Sequence, residues 1–108
     1  MPIFRLGPYL RGMREIGIGE SGMAKIEAEI VANPNHPMIK ELRGVRKARI
    51  PRPGMGKRGG GRVIYYVAIG TDAFYMMAAY GKNEQDDLST EQRRRILKAL
   101  ESIKKARG

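Results

Sequence analysis

The stretch that decides the fold spans residues 43–69 and reads RGVRKARIPRPGMGKRGGGRVIYYVAI. Its alternating first part predicts a strand over residues 45–50, and its β-branched and aromatic last part predicts another over residues 62–69. Residues 51–61 between them have the glycine and proline content of a loop. The stretch holds eight Lys or Arg between Arg43 and Arg62, and no acidic residue. Two paired strands with this charge predict a phosphate site, with nucleic acid as the first candidate ligand.

The bulk composition describes one small, strongly basic domain. A chain of 108 residues is expected to form a single domain, residues 1–108, with a core too small for a large enclosed pocket. A hydrophobic fraction of 42% and a charged fraction of 30% are typical of a globular chain. The formal net charge of +10 predicts an anionic partner, whether nucleic acid, an acidic membrane surface or an acidic protein.

Cysteine content and apolar runs bear on where the protein works. The sequence contains no cysteine, which excludes a disulfide framework and thiolate metal ligands and fits a reducing compartment. Arg5 and Arg11 interrupt the apolar residues of the N-terminus, so we expect no signal peptide. The longest apolar runs lie in predicted strands and are too short to span a membrane. We therefore expect a cytoplasmic protein with no membrane partner.

Helical periodicity appears at both ends of the chain. A helix is predicted over residues 20–32, with Ser21 as its N-cap and Asn33-Pro34 as its end. A short helical segment is expected at residues 38–42, whereas residues 7–19 fit no single period. The last helix is predicted to start at Ser89, which forms a capping box with Gln92. Its apolar stripe should pack on the sheet and consists of Ile96, Leu97, Leu100 and Ile103.

The strands complete an α+β domain. Residues 2–6 predict a short strand, and the turn at residues 70–72 returns the chain into a strand over residues 73–80. Tight connections make neighbouring strands antiparallel. The predicted fold is a small twisted antiparallel sheet packed by an N-terminal helix and a C-terminal helix.

The glycine-rich loop matches two phosphate-binding motifs only in part. A Walker loop is excluded because Pro51 replaces its first glycine and Arg58 replaces its magnesium-binding hydroxyl. The spacing of Gly54, Gly56 and Gly59 resembles a dinucleotide fingerprint, but a strand follows it rather than a helix. Two interpretations stay open: a hairpin loop with solvated charges, and a basic loop that clasps a nucleic-acid backbone.

Other polar residues suggest no cofactor and no metal. His36 is the single histidine and lies in a proline-flanked turn, where we expect a surface residue; one histidine cannot build a metal site. Glu84, Asp86 and Asp87 precede a helix and are expected to serve its dipole rather than magnesium. The tyrosines of the strands are expected to pack in the core, the alternative being that one stacks on a base.

A set of cations is predicted to converge on one face of the sheet. Strand alternation places Lys47 and Arg49 on the same side, apart from Arg46. Arg62 heads the next strand, Lys57 lies in the loop before it, and Lys82 follows the third strand.

Such a face can bind RNA, and it can also cleave RNA through the 2′-hydroxyl. Cleavage needs a base, an acid and charge stabilisation of the phosphorane. Arginine suits the phosphorane oxygens because it stays charged. Lys47 or Lys82 is the candidate proton acceptor, because neighbouring positive charge favours the neutral form of a lysine.

Three segments resemble the RelE/ParE superfamily of bacterial toxins, and most closely its HigB-like branch. They are LRGVRKAR (residues 42–49), GKRGGGRVIYY (residues 56–66) and YGKNEQDDLS (residues 80–89), in this order. The resemblance covers about residues 42–105. It implies a microbial RNase-like fold of the RelE type, metal-independent and ribosome-dependent cleavage of mRNA in the decoding site, and a cognate antitoxin.

The resemblance also implies roles for individual residues. The catalytic positions are Lys47, Arg49, Lys57, Arg62 and Lys82, with Arg62 expected to stabilise the transition state. RNA-binding positions are Arg43, Arg46, Arg58 and Asn83. RelE itself has arginine where this chain has Asn83 and tyrosine where it has Ser89, so we expect those roles to pass to Lys82 and Lys57. The N-terminal forty residues depart from the usual helical hairpin, because they predict only one helix.

Two other functions fit the same charge. One is a ParE-like inhibitor of DNA gyrase, which needs no RNA chemistry. The other is a non-catalytic RNA-binding or ribosome-associated protein, which would bind RNA with a steep salt dependence and cut nothing. The clustered cations favour the endoribonuclease.

Overall fold

The computed structural model describes residues 2–54, 56–70 and 73–107, with the backbone alone for residues 56–59 and 107. No helix within these ranges combines the length and the apolar character needed to cross a membrane. The elements follow one another as β1 (Ile3–Arg5), α1 (Gly7–Glu15), α2 (Glu20–Ala32), β2 (Arg46–Arg52), β3 (Gly56–Ala68), β4 (Ala73–Gly81) and α3 (Thr90–Arg107).

The strands form a mixed sheet in the order β1-β4-β3-β2. The three later strands are antiparallel, as predicted, but β1 pairs with β4 in parallel. Backbone hydrogen bonds extend this pair at both ends, from Phe74 N to Pro2 O and from Leu6 N to Met76 O. Parallel neighbours need a long crossover. Both N-terminal helices, β2 and β3 lie in that crossover, so no hairpin signal could predict the pairing.

Each face of the sheet has its own hydrophobic cluster, and successive side chains of β3 alternate between the two. On one face, α1 and α2 cover Val63 and Tyr65. On the other face, α3 covers Ile64 and Tyr66. The stripe predicted for α3 is confirmed, because Ile96 and Leu100 are buried in the second cluster and Leu97 and Ile103 pack against it.

The N-terminal region contains two helices, so the prediction of a single helix there was wrong. α2 has the predicted bounds, but Gly19 rather than Ser21 is its N-cap residue. α1 was missed because Gly7-Pro8, which suggested a break, forms its first turn, where proline is tolerated. Gly12 inside α1 also weakened the helical pattern, yet it is required: a Cβ there would collide with the backbone carbonyl of Ala79 on β4.

A clamp of ionic side chains joins β1 to both helices. The Arg5 guanidinium donates to both carboxylate oxygens of Glu27 at 2.7 and 2.8 Å and to those of Glu20 at 2.7 and 2.9 Å. Tyr9 donates its hydroxyl to Glu27 at 2.7 Å. Glu27 is only 3% exposed, so its charge is balanced inside the protein rather than by water.

Two further segments differ from their predictions. The glycine-rich loop is shorter than residues 51–61, because β2 continues to Arg52 and β3 already begins at Gly56. Glycine is uncommon in strands, so the glycine-rich sequence did not predict that β3 begins this early. Residues 38–42 are not helical: Met38 bridges to Arg46, and Glu41 and Arg43 have positive φ angles of 68° and 51°.

The turns beside the C-terminal elements are only partly described. The hairpin turn predicted at residues 70–72 includes Thr71 and Asp72, which lie outside the described residues. The capping box of α3 is confirmed. Gln92 N donates to Ser89 Oγ at 3.1 Å, and Ser89 N donates to Gln92 Oε1 at 2.9 Å.

Candidate functional site

The register of the sheet aligns two arginines and a tyrosine in one row. Arg49 on β2 is the direct partner of Arg62 on β3, and Arg62 is the direct partner of Tyr80 on β4. Direct partners in an antiparallel pair project to the same face. This row therefore lies on the face that α3 covers. Lys47 belongs to the next row, opposite Ile64.

These strands form the floor of an open cleft of about 580 Å³. It is lined by His36, Pro37, Lys47, Arg49, Arg62, Lys82 and Asp86. Four of the five positions that we expected to be catalytic thus line a single cleft. The side chain of the fifth, Lys57, lies outside the described residues.

Arg62 is the most deeply placed cation of the cleft. It is 7% exposed, and its Nη1 donates to the carbonyl of Gly61 at 3.0 Å. Among the residues whose side chains are described, none is a carboxylate paired with it. A nearly buried guanidinium without a counter-ion is unfavourable unless an anion arrives, so Arg62 is suited to hold one.

Acidic side chains from the turn between β4 and α3 lie beside the two lysines of the cleft. Lys82 Nζ lies 3.1 Å from Asp86 Oδ1, and Lys47 Nζ lies 3.8 Å from Asp87 Oδ1. Arg93 on α3 lies 3.4 Å from the other oxygen of Asp87. Each of the two lysines therefore has a carboxylate neighbour in addition to the positive charges around it.

The Asp87 carboxylate has a second set of partners. The backbone N–H of Leu88, followed by the charges of Lys47 and Arg93, holds the pKa of Asp87 below its usual value. We had expected Asp86 and Asp87 to serve the helix dipole. Instead, Asp86 lines the cleft and Asp87 contacts one of the cleft's lysines. These positions depend on the path of the turn, and no sequence pattern predicts them.

His36 is part of the cleft wall rather than the surface residue that we expected. Its ring is half-buried, with Nδ1 2.7 Å from the Tyr65 hydroxyl and the two rings edge-to-face at 5.7 Å. Burial raises the pKa of Tyr65. The adjacent Pro37 carbonyl accepts a hydrogen bond from Lys47 N at 3.0 Å. The segment thus covers the outer edge of β2 and fixes the backbone of Lys47.

The positions assigned to RNA binding are more dispersed. Arg43 is exposed on a turn away from the cleft, and Arg46 Nη1 donates to the His36 carbonyl at 2.6 Å. Asn83 is exposed next to Lys82 but does not line the cleft. The side chain of Arg58 lies outside the described residues. These assignments stay predictions.

Tyr80 lies beside the cleft without lining it. It is 4% exposed, and its hydroxyl has no hydrogen-bond partner within the described part of the chain. Burial raises the pKa of Tyr80, to which the Asp87 charge adds, while Arg62 and Arg93 act in the opposite direction. The sequence grouped Tyr80 with packing tyrosines, since nothing in the pattern marks an unpaired hydroxyl.

A second cavity of about 400 Å³ lies between α1, β4 and α3 and shares no lining residue with the basic cleft. Its walls are largely aliphatic, with Leu6, Met77 and Ile96 among them. In the part of the chain that the structure describes, no three histidine or carboxylate side chains are grouped as metal ligands. The basic cleft is therefore the better candidate for chemistry on an anionic substrate.

Two solved structures share this fold. A mutant of the E. coli toxin RelE in the free state has a TM-score of 0.57 and 12% identity, covering 91% of this chain and 95% of that chain. The conserved hypothetical protein HP0892 from Helicobacter pylori has a TM-score of 0.55 and 11% identity, with coverages of 78% and 97%. Identities this low establish the fold alone, which confirms the α+β class and the RelE-type architecture.

Fold and cleft define a small α+β protein of the RelE type, with cations gathered on β2, on β3 and just after β4. The model of the family described as "RelE toxin of RelE / RelB toxin-antitoxin system" matches residues 3–107. The chain belongs to this RelE toxin family, whose members are generally endoribonucleases that inhibit translation by cutting mRNA. The superfamily prediction is confirmed; the HigB-like branch stays a prediction, because the family model and these two structures do not identify it.

Proposed function

We propose that this protein is a metal-independent endoribonuclease that cuts mRNA on the ribosome, in the decoding site. The observation that carries the proposal is the convergence of Lys47, Arg49, Arg62 and Lys82 on one open cleft. An open, shallow cation site suits a strand presented by a larger assembly better than a small molecule that must be enclosed. Family membership supplies the reaction class, and the cleft supplies the groups.

The proposed chemistry is attack by the 2′-hydroxyl of one nucleotide on its own 3′-phosphate. The new bond joins the 2′-oxygen to phosphorus, and the bond from phosphorus to the 5′-oxygen of the next nucleotide breaks. A base takes the 2′-hydroxyl proton, and an acid gives a proton to the leaving 5′-oxygen. Lys47 and Lys82 are the candidates for these two proton transfers, without a fixed order between them.

Arg62 is proposed to stabilise the phosphorane. Its burial keeps water away from the guanidinium, and a fixed donor in such a place interacts more strongly with developing negative charge. Arg49, its direct partner on β2, adds a second positive charge to the same row. Lys57 is proposed to add a further catalytic cation, and Arg43, Arg46, Arg58 and Asn83 are proposed to contact the RNA on either side.

A cognate antitoxin is the proposed protein partner, and the cytoplasm is the proposed location. The formal net charge of +10 favours a partner with an acidic segment. Such a segment lying over the basic cleft would neutralise it and exclude mRNA, by complementarity of charge.

The test is a purified translation system with one defined mRNA, the antitoxin-free protein, and cut sites mapped by primer extension. We expect cuts only when ribosomes translate the message. Arg62→Ala should lower the rate by about 10²- to 10³-fold, the usual effect of removing one transition-state donor. Arg62→Lys should recover only part of it, because a lysine cannot reproduce the planar donor pair.

Arg94→Ala is the matched control, because Arg94 is exposed on α3, pairs with Glu91 at 2.6 Å and does not line the cleft. It should cut mRNA at the wild-type rate. Intact mRNA in the presence of translating ribosomes would overturn the proposal. Inhibition of DNA supercoiling by gyrase in the same preparation would instead favour the ParE-like function.

A further inference from the structure

The Tyr80 hydroxyl is a buried polar group with nothing to bind. It has no hydrogen-bond partner in the described part of the chain, although buried hydroxyls are nearly always paired. Packing alone does not require it, since phenylalanine would fill the same space. An unpaired buried donor requires an explanation, and a ligand that binds to it is one.

The surroundings of this hydroxyl indicate which ligand. Tyr80 is the direct partner of Arg62 across β3 and β4, and the charges that act on its hydroxyl come from Asp87, Arg62 and Arg93. Two cations that act on one neutral donor suit an anion with several acceptor oxygens. A phosphate group meets this description.

In the free protein a carboxylate already lies among these groups. The two oxygens of Asp87 are 3.8 Å from Lys47 Nζ and 3.4 Å from Arg93 Nη2, both longer than a close charged hydrogen bond. The Asp87 side chain is 55% exposed, so displacing it uncovers little apolar surface. Its short hydrogen bond, at 2.8 Å, comes from Leu88 N rather than from either cation, so a stronger anion can replace the carboxylate beside Lys47 and Arg93.

We propose that Lys47, Arg62, Arg93 and the Tyr80 hydroxyl form a subsite for one phosphate of an RNA backbone, and that Asp87 occupies this subsite in the unbound protein. The identity of the ligand as RNA rests on the proposed function. Arg49 and Lys82 line the same cleft as Arg62, and these further cations favour a polymer with several phosphates over the free ion. Binding of the phosphate exchanges the Asp87 contacts for its own and gives the Tyr80 hydroxyl its partner.

The experiment measures binding without cleavage. The probe is a fluorescein-labelled single-stranded RNA of eight nucleotides, 2′-O-methylated at every sugar so that it cannot be cut, followed by fluorescence anisotropy. Tyr80→Phe should weaken binding about tenfold, the value of one hydrogen bond to a charged group. Asp87→Asn should tighten binding about three- to fivefold, because it removes the competing charge but keeps an oxygen for the Leu88 N–H.

Matched variants separate the subsite from general effects. Glu91→Gln removes one negative charge on α3 away from the cleft, and should tighten binding much less than Asp87→Asn. Tyr66→Phe removes a hydroxyl from the same face of the sheet, four residues along β3 from Arg62, and should leave binding unchanged. Tyr80→Phe should also unfold at no lower temperature than the wild type, since the lost hydroxyl has no partner to lose.

Two observations would overturn the subsite: equal affinity of Tyr80→Phe and wild type, or equal tightening by Asp87→Asn and Glu91→Gln. Inorganic phosphate is the second probe, and its displacement of the RNA only at millimolar concentrations supports a polymer ligand. Displacement by inorganic phosphate at the RNA's own concentration would overturn the assignment to RNA. If the binding pattern holds but ribosomes yield no cut mRNA, the proposed function fails and the subsite stands.

Discussion

Arg62 and Arg49 are direct partners across β3 and β2, so two guanidinium side chains leave the same face of the sheet in one row. Like charges placed opposite each other destabilise a sheet, and here one of the two is 7% exposed. This pair of like charges lowers the stability of the free protein. It becomes favourable when an anion binds between the two guanidinium groups. This is the expected signature of a site that trades stability for function.

Arg49→Gln should therefore stabilise the free protein while it impairs RNA cleavage. Removing one of two facing charges should raise the free energy of unfolding by about 0.5 kcal/mol at low ionic strength, and the gain should disappear in high salt. Urea denaturation at 20 mM and 500 mM salt measures the change. Arg94→Gln, which loses its partner Glu91 instead of a like charge, should show no gain at either salt concentration.

In the clamp around Arg5, one guanidinium pairs with two carboxylates: Glu27 is buried and Glu20 is exposed. This difference allows a prediction about stability. Arg5→Met leaves Glu27 charged and almost fully buried, which should cost about 3–5 kcal/mol of unfolding free energy. Glu20→Gln removes the exposed carboxylate and leaves Arg5 paired with Glu27, so it should cost far less unfolding free energy than Arg5→Met. Equal losses in urea denaturation would show that burial of Glu27 does not decide the stability of the clamp.

Much of this architecture follows from local sequence signals. The bounds of the helix over residues 20–32 and the Ser89 capping box depend on neighbours within a few positions, and the structure has both as predicted. The convergence of Lys47, Arg49, Arg62 and Lys82 follows too, because period-two alternation and a tight hairpin are enough to bring those strands together.

What the sequence could not predict depends on distant segments. The parallel pairing of β1 brings together residues about seventy positions apart. α1 is stabilised by packing on β4, against which Gly12 lies too close for any side chain. Asp87 and His36 belong to the site only through the paths of a turn and a loop, which no periodicity describes.

The change of stability at acidic pH should depend on the contacts of Asp87. The folded protein holds the Asp87 pKa below its ordinary value of 3.8. A carboxyl group whose pKa is lower in the folded than in the unfolded state stabilises the fold at pH values above its unfolded pKa. This contribution disappears as pH falls through the folded pKa. Wild type should therefore exceed Asp87→Asn in melting temperature at pH 6, and the difference should shrink as the pH falls below 3.8. A difference that grows towards low pH would contradict the assigned contacts.

The 2′-hydroxyl mechanism can be tested on the substrate rather than the protein. Once a cut site is mapped on a translated mRNA, a single 2′-deoxynucleotide placed 5′ to the cut bond removes the nucleophile. We expect cutting there to fall by at least about 10³-fold, because water must replace an attacking group that is held in position.

The unmodified message should yield a 2′,3′-cyclic phosphate, which converts to a 2′- or 3′-phosphate, on one product and a free 5′-hydroxyl on the other. A 2′-deoxynucleotide two positions away should have no effect. A 5′-phosphate on the downstream product would mean that water is the nucleophile, and would remove the need for a base at Lys47 or Lys82 to act on the 2′-hydroxyl.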